Sequence, residues 1–289
     1  MKWIIFLLLF AFSGAQCANF RRPTDHYIVN KNLPKVSLKK PTPELNTTAK
    51  MWNSFEMVDS TLNGINFKLA IPKKANMYRD WIWRARFWGH EPQLDIALLE
   101  KGFHVAYIET GGMYGSPKTL QIWDEFYRLI TQNYHLNKKV VLEGMSRGGL
   151  PVFNWGNANA ENVACIYADA PVCDFKSWPG GKFSGSGSVD DWKLCLEQYE
   201  LTEEQAMTYL SNPIDRMENI ARLKVPVIVV VGDLDKVVPV AENTDLLQKR
   251  LQELGWDLTI LHKPAVGHHP HSFEDPKPIL DFILKNTGN

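Results

Sequence analysis

A serine set between two glycines is the first candidate for chemistry in this chain. It lies in the sequence Gly-Met-Ser-Arg-Gly at 144–148, directly after the apolar run 140–142. When such a turn joins a strand to a helix, the glycines leave room where a Cβ would collide, and the serine hydroxyl is exposed on a strained elbow. The pattern predicts Ser146 as a nucleophile and the backbone N–H of Arg147 as a donor to the attacked oxygen. The alternative is a glycine-rich turn with an incidental serine.

An activated serine needs a base and an acid that orients the base, and both follow in order. The apolar run 225–231 predicts a buried strand that enters the sequence Gly-Asp-Leu-Asp at 232–235. Asp235 is predicted to orient the base. Asp233 lies nearer the strand and is expected to hold the turn through bonds to nearby backbone N–H groups.

The base is sought in a histidine-rich loop. Residues 258–261 predict a short strand, and Gly267 is followed by His268, His269 and His271. His268 is predicted to be the base. Imidazole is also the commonest zinc ligand, which makes a metal site the alternative. No carboxylate or cysteine lies at ligand spacing in this segment, so neither metal nor cofactor is predicted, and His269 and His271 are expected to pack beside the next helix or cap it.

Predicted strands and helices alternate along the chain and position these three groups. Asn63-Gly64 between two strand patterns predicts a hairpin, and from residue 81 predicted strands alternate with predicted helices. This order predicts an α/β fold with a mostly parallel central sheet flanked by helices. All three candidate groups then fall at the carboxyl ends of strands, where such sheets place their active sites. His104 lies within a strand pattern and is expected to be structural.

One segment, about 172–217, breaks the alternation. It contains Trp-Pro-Gly-Gly at 178–181, a Ser/Gly run at 184–188 that is expected to be flexible, and a polar helix pattern around 203–210. An insert at this point of the fold is expected to form a small lid over the site. The alternative is a surface excursion that does not contact substrate.

The elbow at 144–148, the acid turn at 232–239 and Gly267-His268 resemble the corresponding motifs of the α/β-hydrolase superfamily, in the order Ser, Asp, His. Within it the chain is similar to bacterial secreted hydrolases of prolyl-oligopeptidase-like and acetyl-xylan-esterase-like type. The resemblance covers about 55–287 and implies acyl transfer to water without a cofactor. Lipase-type members carry His-Gly-Gly where this chain reads Trp-Ile-Trp-Arg-Ala-Arg-Phe-Trp-Gly-His at 81–90. The second oxyanion donor is therefore expected to be the backbone N–H of Ala85 or Arg86.

Candidate substrate contacts come from aromatic and cationic residues predicted near the strand ends. Flat aromatic faces suit sugar rings, and a guanidinium can pair with a carboxylate such as a uronic acid. The aromatic candidates are Trp83, Trp88, His90 and Trp178, and the cationic candidates are Arg84, Arg86 and Arg147. Core packing and internal ion pairing are the alternatives. These residues favour a carboxylic ester hydrolase for carbohydrate-linked or small polar esters, with a serine exopeptidase of prolyl-oligopeptidase type and a non-catalytic binding protein as alternatives.

Composition is consistent with one enzyme domain. The chain has 289 residues, is 45% apolar, and balances 32 Lys and Arg against 32 Asp and Glu. No global field therefore favours nucleic acid or anionic membrane as a partner, and a small-molecule or carbohydrate ester substrate is expected. Cys173 and Cys195 can form one disulfide or remain small buried apolar groups, and Cys165 fits a buried strand position.

The amino terminus indicates export. Residues 1–15 combine a basic start, an apolar run and small residues, which is typical of a secretory signal peptide. A lipid anchor at Cys17 is disfavoured, because Gln16 stands where a lipobox needs a small residue. Residues 16–54 are polar and proline-rich and predict an extended arm that lies over the domain or is partly disordered. The prediction is a periplasmic or extracellular protein without a membrane span.

Overall fold

The computed structural model describes residues 50–288, which form a nine-stranded sheet with helices on both faces. The predicted signal peptide, Cys17 and most of the predicted arm lie outside these residues. The strands are β1 (Lys50–Trp52), β2 (Phe55–Leu62), β3 (Ile65–Ile71), β4 (Trp81–Arg84), β5 (His104–Ile108), β6 (Val140–Met145), β7 (Val163–Asp169), β8 (Val227–Gly232) and β9 (Thr259–Lys263). The helices are α1 (Gln93–Glu100), α2 (Pro117–Arg128), α3 (Gly149–Ala158), α4 (Val189–Tyr199), α5 (Glu203–Met207), α6 (Glu218–Arg222), α7 (Thr244–Glu253) and α8 (Lys277–Thr287).

The strand order is β1-β2-β3-β5-β4-β6-β7-β8-β9. The first three strands are antiparallel, and β5, β4, β6, β7, β8 and β9 run parallel, which confirms the predicted fold class. The predicted hairpin is confirmed, since Leu62 pairs with Ile65 across the Asn63-Gly64 turn. Strand β1 lies inside the range 16–54 that was expected to be an extended arm, so residues 50–52 of that range belong to the sheet.

Two apolar clusters cover the two faces of the sheet. Alternate residues of β4 point to opposite faces, because side chains of a strand have a period of two. Trp81 and Trp83 join the cluster under α2, α3, α6 and α7, while Ile82 joins the cluster under α1 and α8. Trp83 is fully buried and stacks on Trp123 with ring centroids 4.1 Å apart. The prediction of Trp83 as a substrate contact is therefore wrong, because its ring is packed inside the core.

Residues 172–217 carry a third apolar cluster that includes Phe175, Trp178 and Trp192. Leu150 of α3 and Val238 of the acid turn belong to the same cluster, so this segment rests on both. Its Ser/Gly run is not a free loop. The amide of Ser184 donates to Glu242 at 2.6 Å, and the amide of Ser186 donates to the carbonyl of Lys236 at 3.2 Å. The run 184–188 is thus held against the acid turn.

The described cysteines are buried thiols. Cys165, Cys173 and Cys195 are all free, so the disulfide considered between Cys173 and Cys195 is not present. Burial raises the pKa of each thiol, which keeps it neutral and unreactive. His104 begins β5 and is buried as expected, and desolvation lowers its pKa to about 4. Within residues 50–288, the helices include none with the length and apolar character needed to cross a bilayer.

Candidate active site

Ser146 stands at the point where β6 ends and the chain turns into α3. Its φ is 51°, a left-handed conformation that is strained for a residue with a side chain. A single 3-10 turn, Ser146–Gly148, joins the strand to the helix. A hydrogen bond helps to hold this conformation, since the carbonyl of Ser146 accepts the amide of Val172 at 2.9 Å.

Close packing around the elbow explains two of its glycines but not the third. A Cβ on Gly144 would lie 2.7 Å from the carbonyl oxygen of Gly148, and one on Gly149 would lie 2.6 Å from the carbonyl oxygen of Val172. A Cβ on Gly148 would make ordinary contacts of 3.5 Å and 3.6 Å with the Cβ atoms of Ala85 and Arg86. The expectation that position 148 leaves no room is therefore wrong. The tight approach occurs one residue later, where the helix passes the segment after β7.

The acid turn after β8 fixes the carboxylate of Asp235. Its Oδ1 accepts the amides of Val237 and Val238 at 2.8 and 2.9 Å, and its Oδ2 lies 2.6 Å from Nδ1 of His268. Asp235 thus performs the turn-holding role that was expected of Asp233. Asp233 instead lies 2.7 Å from Nδ1 of His262 at the surface, so that expectation is wrong.

The histidine loop is docked against the acid turn by backbone contacts. The amide of Leu234 donates to Val266 at 2.8 Å, and a Cβ on Gly232 would lie 2.1 Å from the carbonyl oxygen of Gly267. Only glycine permits this approach of the two segments. The docking brings His268 to Asp235, although 33 residues separate them in the chain.

Ser146, His268 and Asp235 are joined in one hydrogen-bonded row. Nε2 of His268 lies 2.9 Å from Oγ of Ser146, and all three residues are less than 10% exposed. An ionised carboxylate only accepts hydrogen bonds, so Asp235 selects the tautomer of His268 with the proton on Nδ1. The lone pair of Nε2 then faces the serine hydroxyl. This arrangement can remove the serine proton during attack on a carbonyl carbon.

Donors for a developing oxyanion come from the two chain segments beside Ser146. The amide of Arg147 lies in the 3-10 turn Ser146–Gly148, at the start of a helical segment, where N–H groups have no intrahelical acceptor. The amide of Ala85 donates to the carbonyl of Glu143 at 2.9 Å and extends the sheet, so Ala85 is wrong as a donor. Among residues 50–288 the amide of Arg86 has no backbone acceptor. Of the three amides predicted as oxyanion donors, those of Arg147 and Arg86 therefore remain candidates.

Arg84 is buried and contacts no substrate space, so its assignment to a cationic rim is wrong. Its guanidinium pairs with Asp95 at 2.6 Å and with Glu143 at 3.1 Å, and its own exposure is 1%. It also donates to the carbonyls of Arg86, Phe87 and His90. Burial raises the pKa of Glu143 well above its ordinary value, which Arg84 opposes. Arg84 thus shapes the loop that carries Arg86 and His90.

The predicted aromatic contacts separate into packing and site residues. Trp88 packs between Trp52 and Tyr107, with ring centroids 4.7 and 5.8 Å away, and belongs to the apolar cluster under α1 and α8. Trp178 is buried and the guanidinium of Arg147 covers its ring at 4.8 Å. The face expected to bind a sugar is thus occupied in both. His90 is exposed and lies beside the histidine loop.

The two arginines nearest Ser146 differ in how they are neutralised. Arg147 pairs with Asp191 at 2.9 Å, and Asp191 also accepts the hydroxyl of Tyr114 at 2.5 Å. Arg86 is half-buried, and within residues 50–288 its Nε has no hydrogen-bond partner. Burial lowers the pKa of Arg86, and the positive charge of Arg147 lowers it further. Of the two arginines, Arg86 is therefore the one that remains to pair with an anionic group of a substrate.

The other two histidines of the loop do not cap α8. That helix begins after Pro276 without a side-chain cap, whereas Nδ1 of His271 lies 2.7 Å from Oδ1 of Asp169 at the end of β7. Burial and the neighbouring His271 lower the pKa of His269. Asp169, Tyr114 and Asp191 were missed in the sequence. Asp169 had a signal, because it is a carboxylate at the end of a buried strand, close to the edge of the sheet where Ser146 and Asp235 follow their own strands.

One surface groove lies away from Ser146. It has a volume of about 520 Å³ and is lined by residues such as Asp80, Lys139, Val163 and Val225, at the amino ends of the parallel strands. Ligands of open parallel sheets bind at the carboxyl ends, where Ser146 lies. The groove is therefore no part of the candidate site.

Comparisons with known proteins agree with this geometry. The model of the prolyl oligopeptidase family matches residues 114–289. The fold is similar to a truncated carbohydrate esterase from gut microbiota (17% identity, TM-score 0.62, 80% of this chain and 93% of that one). It is also similar to Est1E from Butyrivibrio proteoclasticus (15%, TM-score 0.54, 81% and 99%). A third is a putative dipeptidyl aminopeptidase IV from Bacteroides ovatus (14%, TM-score 0.58, 82% and 36%).

The chain spans only 36–39% of that aminopeptidase and of three puromycin-hydrolase or puromycin-hydrolysing peptidase structures. No curated protein sequence matches it. At these identities the structural likeness establishes the fold, an α/β-hydrolase, and leaves the substrate open.

Replacing Asp235 by Asn should lower kcat by about 10³-fold or more without unfolding the protein. The asparagine Oδ1 can still accept the amides of Val237 and Val238, but its NH₂ group cannot accept the His268 proton, so the tautomer is reversed. Asp233→Asn is the matched control, since Asp233 contacts only the surface His262 in this region. Steady-state kinetics and thermal unfolding of both variants measure this, and equal losses in the two would contradict the assignment.

Proposed function

This chain belongs to the prolyl oligopeptidase family, and we propose that it hydrolyses carboxylic esters through an acyl-enzyme on Ser146. The proposal rests on one observation, the row in which Asp235 holds His268 and Nε2 of His268 lies 2.9 Å from the Ser146 hydroxyl. A non-catalytic binding protein would have no need to bury and align these three groups.

In the proposed reaction His268 takes the proton of Ser146 as Oγ bonds to the ester carbonyl carbon. The carbonyl oxygen becomes an oxyanion that the amides of Arg147 and Arg86 stabilise. Breakdown of the tetrahedral intermediate expels the alcohol, which takes the proton from His268. Water then attacks the acyl-enzyme by the same route and releases the acid and free Ser146.

Charge beside the nucleophile supports an ester over the amino terminus of a peptide. An aminopeptidase must bind a substrate ammonium group, which requires carboxylates free to pair with it. Arg86 and Arg147 lie beside the elbow; of the nearby carboxylates, Asp191 is already paired with Arg147, and Glu109, whose charge acts on Arg86, accepts the hydroxyl of Tyr107. Such a surface repels an ammonium group and suits an anionic or neutral polar substrate.

The structural neighbours support the same choice. The aligned region accounts for 93% of the truncated form of the carbohydrate esterase and 99% of Est1E, so this chain shares nearly the whole fold of those two chains. We therefore propose a small polar ester, such as an acylated carbohydrate, as the substrate class.

A serine exopeptidase is the second candidate, and the family match itself favours it. Esters and amides use the same nucleophile and base, and they differ in how difficult the leaving group is to expel. The two candidates are distinguished by a panel assayed on one preparation, with acetylated xylo-oligosaccharides, aryl acetates and dipeptide arylamides. We expect kcat/KM for the best ester to exceed that for the best amide by at least 100-fold, with Ser146→Ala as the blank. A dipeptide amide that is cleaved faster than every ester would favour the exopeptidase.

Arg86→Ala should raise KM for an ester that carries a carboxylate far more than for a neutral acetate. A charge-assisted contact contributes about 1.5–3 kcal/mol, or roughly tenfold or more in affinity. The substitution keeps the amide at position 86, so loss of the oxyanion donor does not complicate the comparison. Initial rates with a methyl uronate ester and with p-nitrophenyl acetate provide the measurement. Equal losses on the two substrates would show that Arg86 serves the fold and does not select an anion.

A further inference from the structure

Four histidines lie close together beside Ser146, two of them buried and two exposed. His268, His269 and His271 come from one loop, and their ring centroids lie 4.7–4.9 Å apart. His90 comes from the loop that Arg84 holds, and its ring lies 6.1 Å from His271 and 6.4 Å from His269. The chemistry of the hydrogen-bonded row uses one of these four imidazoles.

The cluster has the features of a cation site built from nitrogen ligands. Each of His268, His269 and His271 offers a ring nitrogen within 4.8 Å of the others. Nδ1 of His271 is bound to the carboxylate of Asp169, which leaves a lone pair on Nε2, and Nε2 is buried without a partner within residues 50–288. A carboxylate that orients a histidine in this way is the usual outer support of a metal ligand. The sequence segment alone lacked this carboxylate, because Asp169 lies 102 residues away.

We propose that this histidine cluster binds a late first-row divalent cation such as Zn²⁺, and that the bound cation inhibits the hydrolase. Zinc–imidazole distances are about 2.0–2.1 Å, so the three nitrogens must each move by about an ångström or less to converge. His269 is exposed, whereas His268 and His271 are buried. An all-imidazole set disfavours Mg²⁺ and Ca²⁺, which take oxygen ligands.

Inhibition follows from the shared histidine, and this part rests on the proposed function. The lone pair of His268 Nε2 faces the Ser146 hydroxyl in the free protein. When that lone pair is donated to a cation, it cannot accept the serine proton. Ser146 then loses its base, and hydrolysis stops until the cation leaves.

The binding test uses Ser146→Ala, which keeps every histidine and removes the competing hydroxyl. Titration calorimetry with ZnCl₂ should show one site per chain, and MgCl₂ should show none at the same concentrations. Adding His269→Gln should weaken Zn²⁺ binding at least tenfold. Adding His135→Asn, a histidine in an exposed turn far from the cluster in sequence, should leave binding unchanged. Equal Zn²⁺ affinity with and without His269→Gln would overturn the site.

The activity test uses the chain with Ser146 intact. Zn²⁺ should inhibit ester hydrolysis, EDTA should restore it, and His269→Gln should raise the inhibitory concentration at least tenfold with kcat/KM in EDTA within about twofold of the parent. Stoichiometric Zn²⁺ binding without inhibition would overturn the shared-ligand proposal. A chain with no ester hydrolysis at all would contradict the proposed function alone, because the calorimetry still shows whether the cation binds.

Discussion

The buried guanidinium of Arg84 is the interaction on which the candidate site depends. It joins Asp95 of α1 to Glu143 of β6, the residue before the elbow, and it also binds three carbonyls of the loop 86–90. Removing one partner of a buried ion pair leaves an uncompensated charge and costs about 3–5 kcal/mol. One side chain therefore fixes both the strand that presents Ser146 and the loop that presents the Arg86 amide and His90.

The sheet supplies the other constraint. The parallel strands β6, β7 and β8 end at Met145, Asp169 and Gly232, so the segments that follow them meet at one edge. Ser146 follows the first, Asp169 ends the second and Asp235 follows the third. The loop after β9 lies across this edge and contacts all three through His268 and His271. Two acid–histidine pairs thus stand side by side, of which one faces the serine and the other faces the histidine cluster.

Local patterns were sufficient to predict the fold and to identify the candidate triad residues. A strand followed by a glycine turn is encoded within about ten residues, so Ser146, Asp235 and His268 could be identified without knowing their partners. The roles of Arg84, Trp178 and His271 could not, because each is decided by a partner distant in sequence: Glu143, Arg147 and Asp169. The wrong prediction of Ala85 as an oxyanion donor has the same cause, because its amide donates to the carbonyl of Glu143 on the neighbouring strand. Sequence shows which groups are present at strand ends, while pairing across the sheet decides which of them remain free.

In the proposed reaction Ser146 is a nucleophile activated by the histidine that lies 2.9 Å away. The most direct measurement is the covalent adduct formed with a fluorophosphonate, located by intact mass and peptide mapping. We expect one adduct per chain, on Ser146, and none on Ser146→Ala, with the melting temperature of the variant close to that of the parent. An adduct on another serine, or labelling that persists in a folded Ser146→Ala protein, would contradict it.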